Sequence, residues 1–238
     1  MPKITDSILV TGGSSGLGRF LIETLNGIPY IRGKKNSSAD IIIHSAWDNK
    51  FDKADYNYIP NSLSLINEVA KRNHRHFIFV STTDIYQNSM ATKESDEIDP
   101  RNIVGINAMS KFFAEQWIKE NIRNYTIIRC STLLGKYSNN AVSRLDKGNK
   151  ITLSGTSVLN LVLYEQVFNF IVNCVADKIF GLYNLSSFSG VRLKDLYGES
   201  PLYGNFTYDS KWVDCNKAAS IYPNILDTSL NNFKNWKK

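Results

Sequence analysis

Cysteine, histidine and methionine are scarce in this chain, at three residues each. Cys130, Cys174 and Cys215 are odd in number and far apart. They make neither a disulfide framework nor a zinc ligand set, and they fit a reducing, cytoplasmic setting. His74 and His76 are close in sequence but have no third ligand nearby, so no metal is expected. No apolar run reaches the roughly 18 residues of a membrane-spanning helix, and Met1 to Asp6 do not read as a secretory leader. Repeats, low-complexity tracts and interdomain linkers are also missing, so residues 1–238 are expected to form one domain. Acidic residues are outnumbered, 22 against 28 basic, for a net charge of +6. That balance suits an anionic nucleotide as well as a nucleic acid. The one internal basic cluster, Lys71 to His76, ends a helical pattern, where the dipole favours cations. No nucleic-acid reader motif accompanies it, so neither nucleic acid nor membrane is expected as a partner.

What the chain does have is a glycine-bearing turn in a telling context. Ile8-Leu9-Val10 is a short apolar run, Thr11 to Gly18 reads T-G-G-S-S-G-L-G, and Leu17, Phe20, Leu21 and Leu25 follow at helical spacing. Strand, turn and helix in that order suit the binding of a dinucleotide. Gly12, Gly16 and Gly18 would let the backbone turn, approach a pyrophosphate and pack helix on strand. The amides at the helix start would face the phosphates, which places Ser14, Ser15 and Leu17 beside the ligand. A Walker-type loop would need Gly-Lys-Ser/Thr at its end, whereas Gly18 precedes Arg19-Phe20.

Further on, strands and helices alternate. Pro29–Arg32, Asp40–Ala46, Phe77–Val80 and Thr126–Arg129 read as strands, and Leu63–Ala70 and Asn107–Ile122 as helices. This alternation predicts an α/β fold with a doubly wound parallel sheet. The pattern loosens after Leu134, with a helix at Val142–Lys147, strands at Leu159–Leu163 and Leu182–Leu185, and helices at Glu165–Val175 and Ser229–Trp236. A core over about 6–135 and a small C-terminal, substrate-side lobe over about 136–238 follow. Only seven residues separate Arg32 from Asp40. A parallel crossover takes a dozen or more. The third strand of a standard dinucleotide fold and its helices are therefore expected to be deleted, leaving the second strand at the sheet edge. Trp212, Tyr222 and Trp236 are candidates to cover the face so exposed.

With these segments in place, the chain resembles the short-chain dehydrogenase/reductase superfamily over roughly residues 6 to 196, and within it the extended, sugar-nucleotide-modifying epimerase/dehydratase branch. Thr11 to Gly18 has the T-G-x-x-x-G-x-G spacing of the shorter branch. Asp40 to Ala46 resembles the extended D-x-V-I-H-x-A block, and Val80 to Tyr86 resembles V-S-[ST]-x-x-V-Y. Ile128 to Gly135 resembles the I-L-R-P-x-x-V-Y-G segment near the nicotinamide. Asn160 to Val167 and Gly181 to Asn184 resemble V-H-V-x-D-V-A and G-x-Y-N. The resemblance implies a Rossmann-type fold and a nicotinamide cofactor contacted by Gly12, Ser14, Ser15, Gly16, Leu17, Gly18, Arg32, Ser45, Ala46, Lys111 and Cys130. It also implies Thr82 as the catalytic hydroxyl and Lys111 as the lysine that holds the nicotinamide ribose. Members commonly dimerise through the two helices that correspond here to residues 63–73 and 107–122.

One motif departs from the family pattern. The family's Tyr-x-x-x-Lys becomes Asn107-Ala108-Met109-Ser110-Lys111, and an amide has no proton to exchange near neutral pH. The one tyrosine with a lysine four residues on is Tyr30, with Lys34, at the end of the second strand. At that strand end an acidic residue would bind a ribose diol, whereas an arginine accommodates a 2′-phosphate. Arg32, Lys34 and Lys35 therefore favour NADP(H) over NAD(H). Two functions stay open. The first is an NAD(P)-dependent oxidoreductase, epimerase or dehydratase of a nucleotide-linked sugar in polysaccharide or glycoconjugate biosynthesis. In it Asn107 binds a substrate oxygen and a water or another tyrosine, Tyr86 or Tyr137, supplies the acid. The second is a catalytically degenerate NADP(H)-binding sensor or scaffold. A tyrosine replaced to trap a complex would read the same way.

Overall fold

The computed structural model describes residues 6–33, 38–47 and 58–238. In chain order the first half holds β1 (Ile8–Thr11), α1 (Gly16–Leu25), β2 (Ile28–Pro29), β3 (Ile41–His44), α2 (Tyr58–Ala70), β4 (His76–Thr82), α3 (Ile106–Asn121) and β5 (Tyr125–Cys130). The second half holds β6 (Thr132–Leu134), α4 (Ala141–Asp146), β7 (Val158–Leu159), β8 (Leu161–Leu163), α5 (Tyr164–Ala176) and β9 (Gly181–Leu185). It closes with β10 (Val191–Arg192), α6 (Leu193–Tyr197), α7 (Asn216–Ala219) and α8 (Ser229–Trp236).

Six strands make one parallel sheet in the order β2-β1-β3-β4-β5-β9. Alternate residues of each strand face opposite sides, which is why the strands read as unbroken apolar runs. Ile8, Val10, Ile41, Ile43, Ile78 and Ile128 pack toward α1 and α5, against Leu17, Leu21, Val167, Phe170 and Ile171. Leu9, Ile42, Phe77, Phe79 and Ile127 pack toward α2 and α3, against Ile66, Val69, Ala114 and Ile118. The sheet is thus doubly wound, as its sequence pattern predicts.

β2 is an edge strand, and the described residues between it and β3 form neither strand nor helix, which fits the expected deletion. The edge strand is shorter than Pro29–Arg32, because only Leu9 and Val10 of β1 have register partners there. Tyr30 still donates its amide to Val10 O at 2.9 Å. Its hydroxyl donates to Glu68 of α2, and the Arg72 guanidinium lies 5.4 Å from its ring centroid. Helix α2 thus reaches Tyr30, while both residues of β2 stay exposed. Tyr222 packs on the α1/α5 side of the sheet and Trp236 in the C-terminal lobe. Trp212 is 53% exposed, so it does not provide the expected cover. Lys34 and Lys35 lie outside the described residues.

The expected strand Leu159–Leu163 divides at Asn160. β7 pairs antiparallel with β10, while β8 pairs parallel with β6. Asn160 turns the chain between them, accepting Thr132 N at its carbonyl and donating its side-chain amide to Lys211 O, 3.1 Å away. Around these short pairs Leu134, Val142, Leu145, Leu161 and Leu193 form a separate core that sits past the C-terminal ends of the main strands. No helix among the described residues is long and apolar enough to cross a membrane.

Candidate active site

The glycine turn sits where β1 ends. Gly12 has φ +72°, and a Cβ there would fall 2.8 Å from the Ala46 backbone. A Cβ on Gly18 would meet Gly12 O at 2.4 Å, so the first turn of α1 lies directly on the glycine turn. Ser15 precedes the helix with an extended backbone and makes no side-chain capping bond. The first amides of α1 are thus left for another acceptor.

The β3 end is tied to the same turn. Thr11 Oγ1 accepts from Ala46 N at 3.1 Å, and Ser45 Oγ donates to Thr11 O at 2.7 Å. Thr11 Oγ1 also bonds His44 Nδ1 at 3.1 Å. His44 is buried, which pushes its pKa down to about 3, so it is a neutral imidazole. Its Nε2 has no hydrogen-bond partner among the described residues.

A cleft of about 530 Å³ opens above these elements. Its walls carry Gly12, Ser14, Ser15, Gly16 and Leu17 from the turn, Arg32 from beyond β2, and Ser45 and Ala46 from beyond β3. All were expected cofactor contacts. Gly18 lies behind the turn as a packing residue. His44, Trp47, Asn61, Ser62 and Leu65 also line the cleft and were not singled out from sequence. The H-x-A block already held His44, but nothing local marks the α2 residues, which arrive there only through the fold.

Thr82 and Cys130 are register partners at the ends of β4 and β5. Lys111 reaches the same strand ends from α3, donating from Nζ to Val80 O at 3.1 Å. That Nζ lies 5.4 Å from the centre of the Trp47 ring, which joins this group to the cleft. Burial lowers the Lys111 pKa, opposed by Cys130, Asp84 and Glu115. Burial pushes the Cys130 thiol up to about 12, so it supplies no thiolate at neutral pH. Asn107 lies in the first turn of α3, one helical turn before Lys111, and its carbonyl accepts from Ser110 Oγ at 2.9 Å. Thr82, Lys111, Asn107 and Cys130 thus come from two strand ends and one helix start.

The two tyrosines named as substitute acids are placed elsewhere. Tyr86 is fully buried, donating to Asn184 Oδ1 and Lys93 O at 3.1 Å and accepting from Arg129 Nη1. It belongs to a network beneath the site. There Arg129 Nη2 donates to Glu115 Oε2 at 2.6 Å and Ser81 Oγ to Glu115 Oε1 at 2.5 Å. Tyr137 donates to both oxygens of Glu23 on α1, at 2.7 and 2.8 Å. A third tyrosine bonds the turn that follows Thr82. Tyr208 Oη donates to Asp84 Oδ1 at 2.7 Å, across 124 residues of sequence. The Asp84 amide donates to Thr82 Oγ1 at 3.2 Å. Among the described residues no cluster of three or more His, Cys, Asp and Glu could hold a metal.

Residues 31–153 match the family model of the RmlD substrate binding domain, about half of the chain. The chain belongs to this family. No curated protein matches its sequence closely enough to add to that. Among solved structures, the chain is similar to dTDP-4-dehydrorhamnose reductase from Bacillus anthracis, in complex with NADP. That likeness has a TM-score of 0.73 at 19% identity, over 98% of this chain and 99% of the other. It is also similar to the Bordetella bronchiseptica enzyme WbmG in complex with NAD, at TM-score 0.72 and 15% identity over 98% and 94% of the two chains. A third similar structure is MoeE5 in complex with UDP-glucose and NAD, at TM-score 0.74 and 16% identity over 97% and 98%. At such identities these likenesses speak to the fold.

Proposed function

We propose that this protein is an NAD(P)-dependent oxidoreductase, epimerase or dehydratase of a nucleotide-linked sugar. The observation that carries the proposal is the cleft, in which the glycine turn, Arg32 and Ser45–Ala46 form one wall system, with Lys111 Nζ beside Trp47 of the same lining. The residues fit a dinucleotide. Gly12 and Gly18 let the turn, the end of β3 and the start of α1 pack directly on one another, and the first amides of α1 lack a side-chain cap. The buried His44 Nε2 adds an unsatisfied polar atom in the cleft wall. Family membership and the cofactors named for the three similar structures support the same reading.

When bound, a nicotinamide dinucleotide supplies hydride chemistry. The amides of α1 would hold its pyrophosphate. Arg32 would accept a 2′-phosphate, so NADP(H) is the favoured form. Lys111 would hold the nicotinamide ribose, with Cys130 as its uncharged neighbour, and Thr82 would polarise the substrate oxygen. Asn107 can donate a hydrogen bond to that oxygen but cannot exchange a proton with it. The paired helices α2 and α3 would provide the seam of a homodimer, which sedimentation can test.

Mass spectrometry tests the function. The protein is incubated with dTDP-4-dehydrorhamnose and NADPH carrying deuterium at the nicotinamide C4, and in parallel with UDP-glucose and NAD. Deuterium in the sugar, or a changed UDP-sugar, is the expected result. Bound cofactor with neither outcome would favour the degenerate, cofactor-binding reading instead.

A further inference from the structure

We propose that Trp47 is a positioning residue for Lys111: its indole ring holds the Lys111 ammonium at the edge of the dinucleotide cleft. The inference rests on the reading above, in which Lys111 holds the nicotinamide ribose, and concerns what holds Lys111.

A lysine carries its charge at the end of a long flexible stem. To grip a ribose that charge must be kept in one place, and a lysine drawn into a protein usually meets a carboxylate for the purpose. Lys111 makes no ion pair among the described residues. The charges of Asp84, from the turn after β4, and Glu115, from its own helix, favour its ammonium. Both carboxylates are engaged elsewhere. Asp84 accepts from Tyr208 Oη at 2.7 Å, and Glu115 accepts from Arg129 and Ser81. The other titratable groups that face Lys111 are His44 from β3 and Cys130 from β5, and neither carries charge at neutral pH.

What Lys111 does meet is a carbonyl and an aromatic face. Its Nζ donates to Val80 O at 3.1 Å and lies over the Trp47 ring, 5.4 Å from the centre. An ammonium within about 6 Å of an indole is attracted by the negative face of the ring, and more strongly where water is excluded. Trp47 in turn rests on Phe79, with ring centroids 5.8 Å apart and planes at 55°. Phe79 and Val80 are consecutive residues of β4, so one piece of strand seats both partners. The wholly buried Phe79 ring props the indole, and the next carbonyl takes the ammonium.

The backbone leading to Trp47 is pinned as well, through the bonds of Ala46 N and Ser45 Oγ to Thr11. A single hydrogen bond to Val80 leaves Nζ further protons for a ligand. Trp47 also lines the cleft, together with the glycine turn and with Asn61, Ser62 and Leu65 of α2. At this side chain the wall of the cofactor cleft meets the lysine of the reactive end.

Isothermal titration of NADPH in a double-variant cycle tests the assignment without turnover. Trp47→Leu keeps an apolar side chain but removes the ring face, and should weaken NADPH about tenfold. Trp47→Phe restores an aromatic face and should stay within about threefold of the natural protein. In a Lys111→Met background Trp47→Leu should cost less than about twofold, because an indole that acts through the ammonium has nothing left to hold. A second readout is pH. Without the ring, burial lowers the Lys111 pKa further, so the alkaline fall of NADPH affinity should begin at lower pH in Trp47→Leu. A tenfold effect moves it by about one pH unit, and Trp47→Phe should restore it. If circular dichroism finds Trp47→Leu unfolded, Trp47→Met takes its place in the cycle. Equal losses in the two backgrounds, as an indole stacking directly on the cofactor would give, would overturn the assignment and leave the dinucleotide cleft standing. So would an alkaline limb that ignores the loss of the ring. A natural protein that binds no NADPH would overturn both readings.

Discussion

Glu115→Gln removes one charge from the most deeply buried ion pair among the described residues and leaves its shape nearly unchanged. Glu115 is wholly buried and Arg129 2% exposed. The carboxylate receives Arg129 Nη2 at 2.6 Å, Arg129 Nε at 3.0 and 3.1 Å to its two oxygens, and Ser81 Oγ at 2.5 Å. Without it the guanidinium keeps a hydrogen bond to Tyr86 but has no counter-charge. Breaking a buried pair from one side costs about 3–5 kcal/mol, a large share of the roughly 5–15 kcal/mol of a whole domain. For a chain of this size that corresponds to about 6–20 °C in Tm. The pair also joins α3, one turn after Lys111, to β5, one residue before Cys130, so loosening it should disturb the site as well. Urea unfolding, with m-values compared, measures the loss. The double variant Glu115→Met with Arg129→Met should cost far less than the sum of its two single changes, since no unpaired charge is then buried. A loss below about 1 kcal/mol for Glu115→Gln, or additive costs in the double variant, would refute this reasoning.

Two further outcomes follow from the site and the core. Arg32→Ala should erase most of a preference for NADPH over NADH. A charged hydrogen bond contributes about 1.5–3 kcal/mol, or roughly tenfold and more in affinity. Isothermal titration of the unsubstituted protein that finds equal affinities would remove the cofactor assignment. Stability should also fall on acidification. Burial depresses His44 to about 3 and His76 to about 4 in the folded chain, while both bind protons near pH 6.5 when unfolded. The unfolded state therefore holds more protons between those values. Unfolding free energy should drop by up to about 2.7 kcal/mol per pH unit from pH 6 toward pH 4, and His76→Asn should halve the histidine contribution. An unchanged slope in that variant would contradict it.

The sheet and the glycine turn were legible in sequence because both are local. Apolar runs of four to seven residues, each buried on both faces, and helices with one apolar side repeat the same signal from Ile8 to Cys130. Even the shortened connection between the second and third strands could be read, since seven residues between Arg32 and Asp40 leave no room for a helix and a further strand. The C-terminal lobe was harder. Its strands are two or three residues long, so Asn160 could redirect the chain between β7 and β8 without disturbing the apolar pattern that suggested one strand. Site residues followed the same division. The Gly12–Leu17 turn, Arg32 and Ser45–Ala46 line the cleft as their motifs imply. Tyr208 meets Asp84 from far along the chain, and no periodicity or spacing encodes such a contact.

The central claim is that the cleft at the end of β1 holds a nicotinamide dinucleotide with its reactive end at Thr82 and Lys111. A crystal structure of the protein grown with NADPH tests it most directly. The pyrophosphate is expected against the first amides of α1, the 2′-phosphate at Arg32, and the nicotinamide ring within reach of Thr82 and Lys111. NADPH bound anywhere else, or a cleft left empty at saturating cofactor, would contradict it.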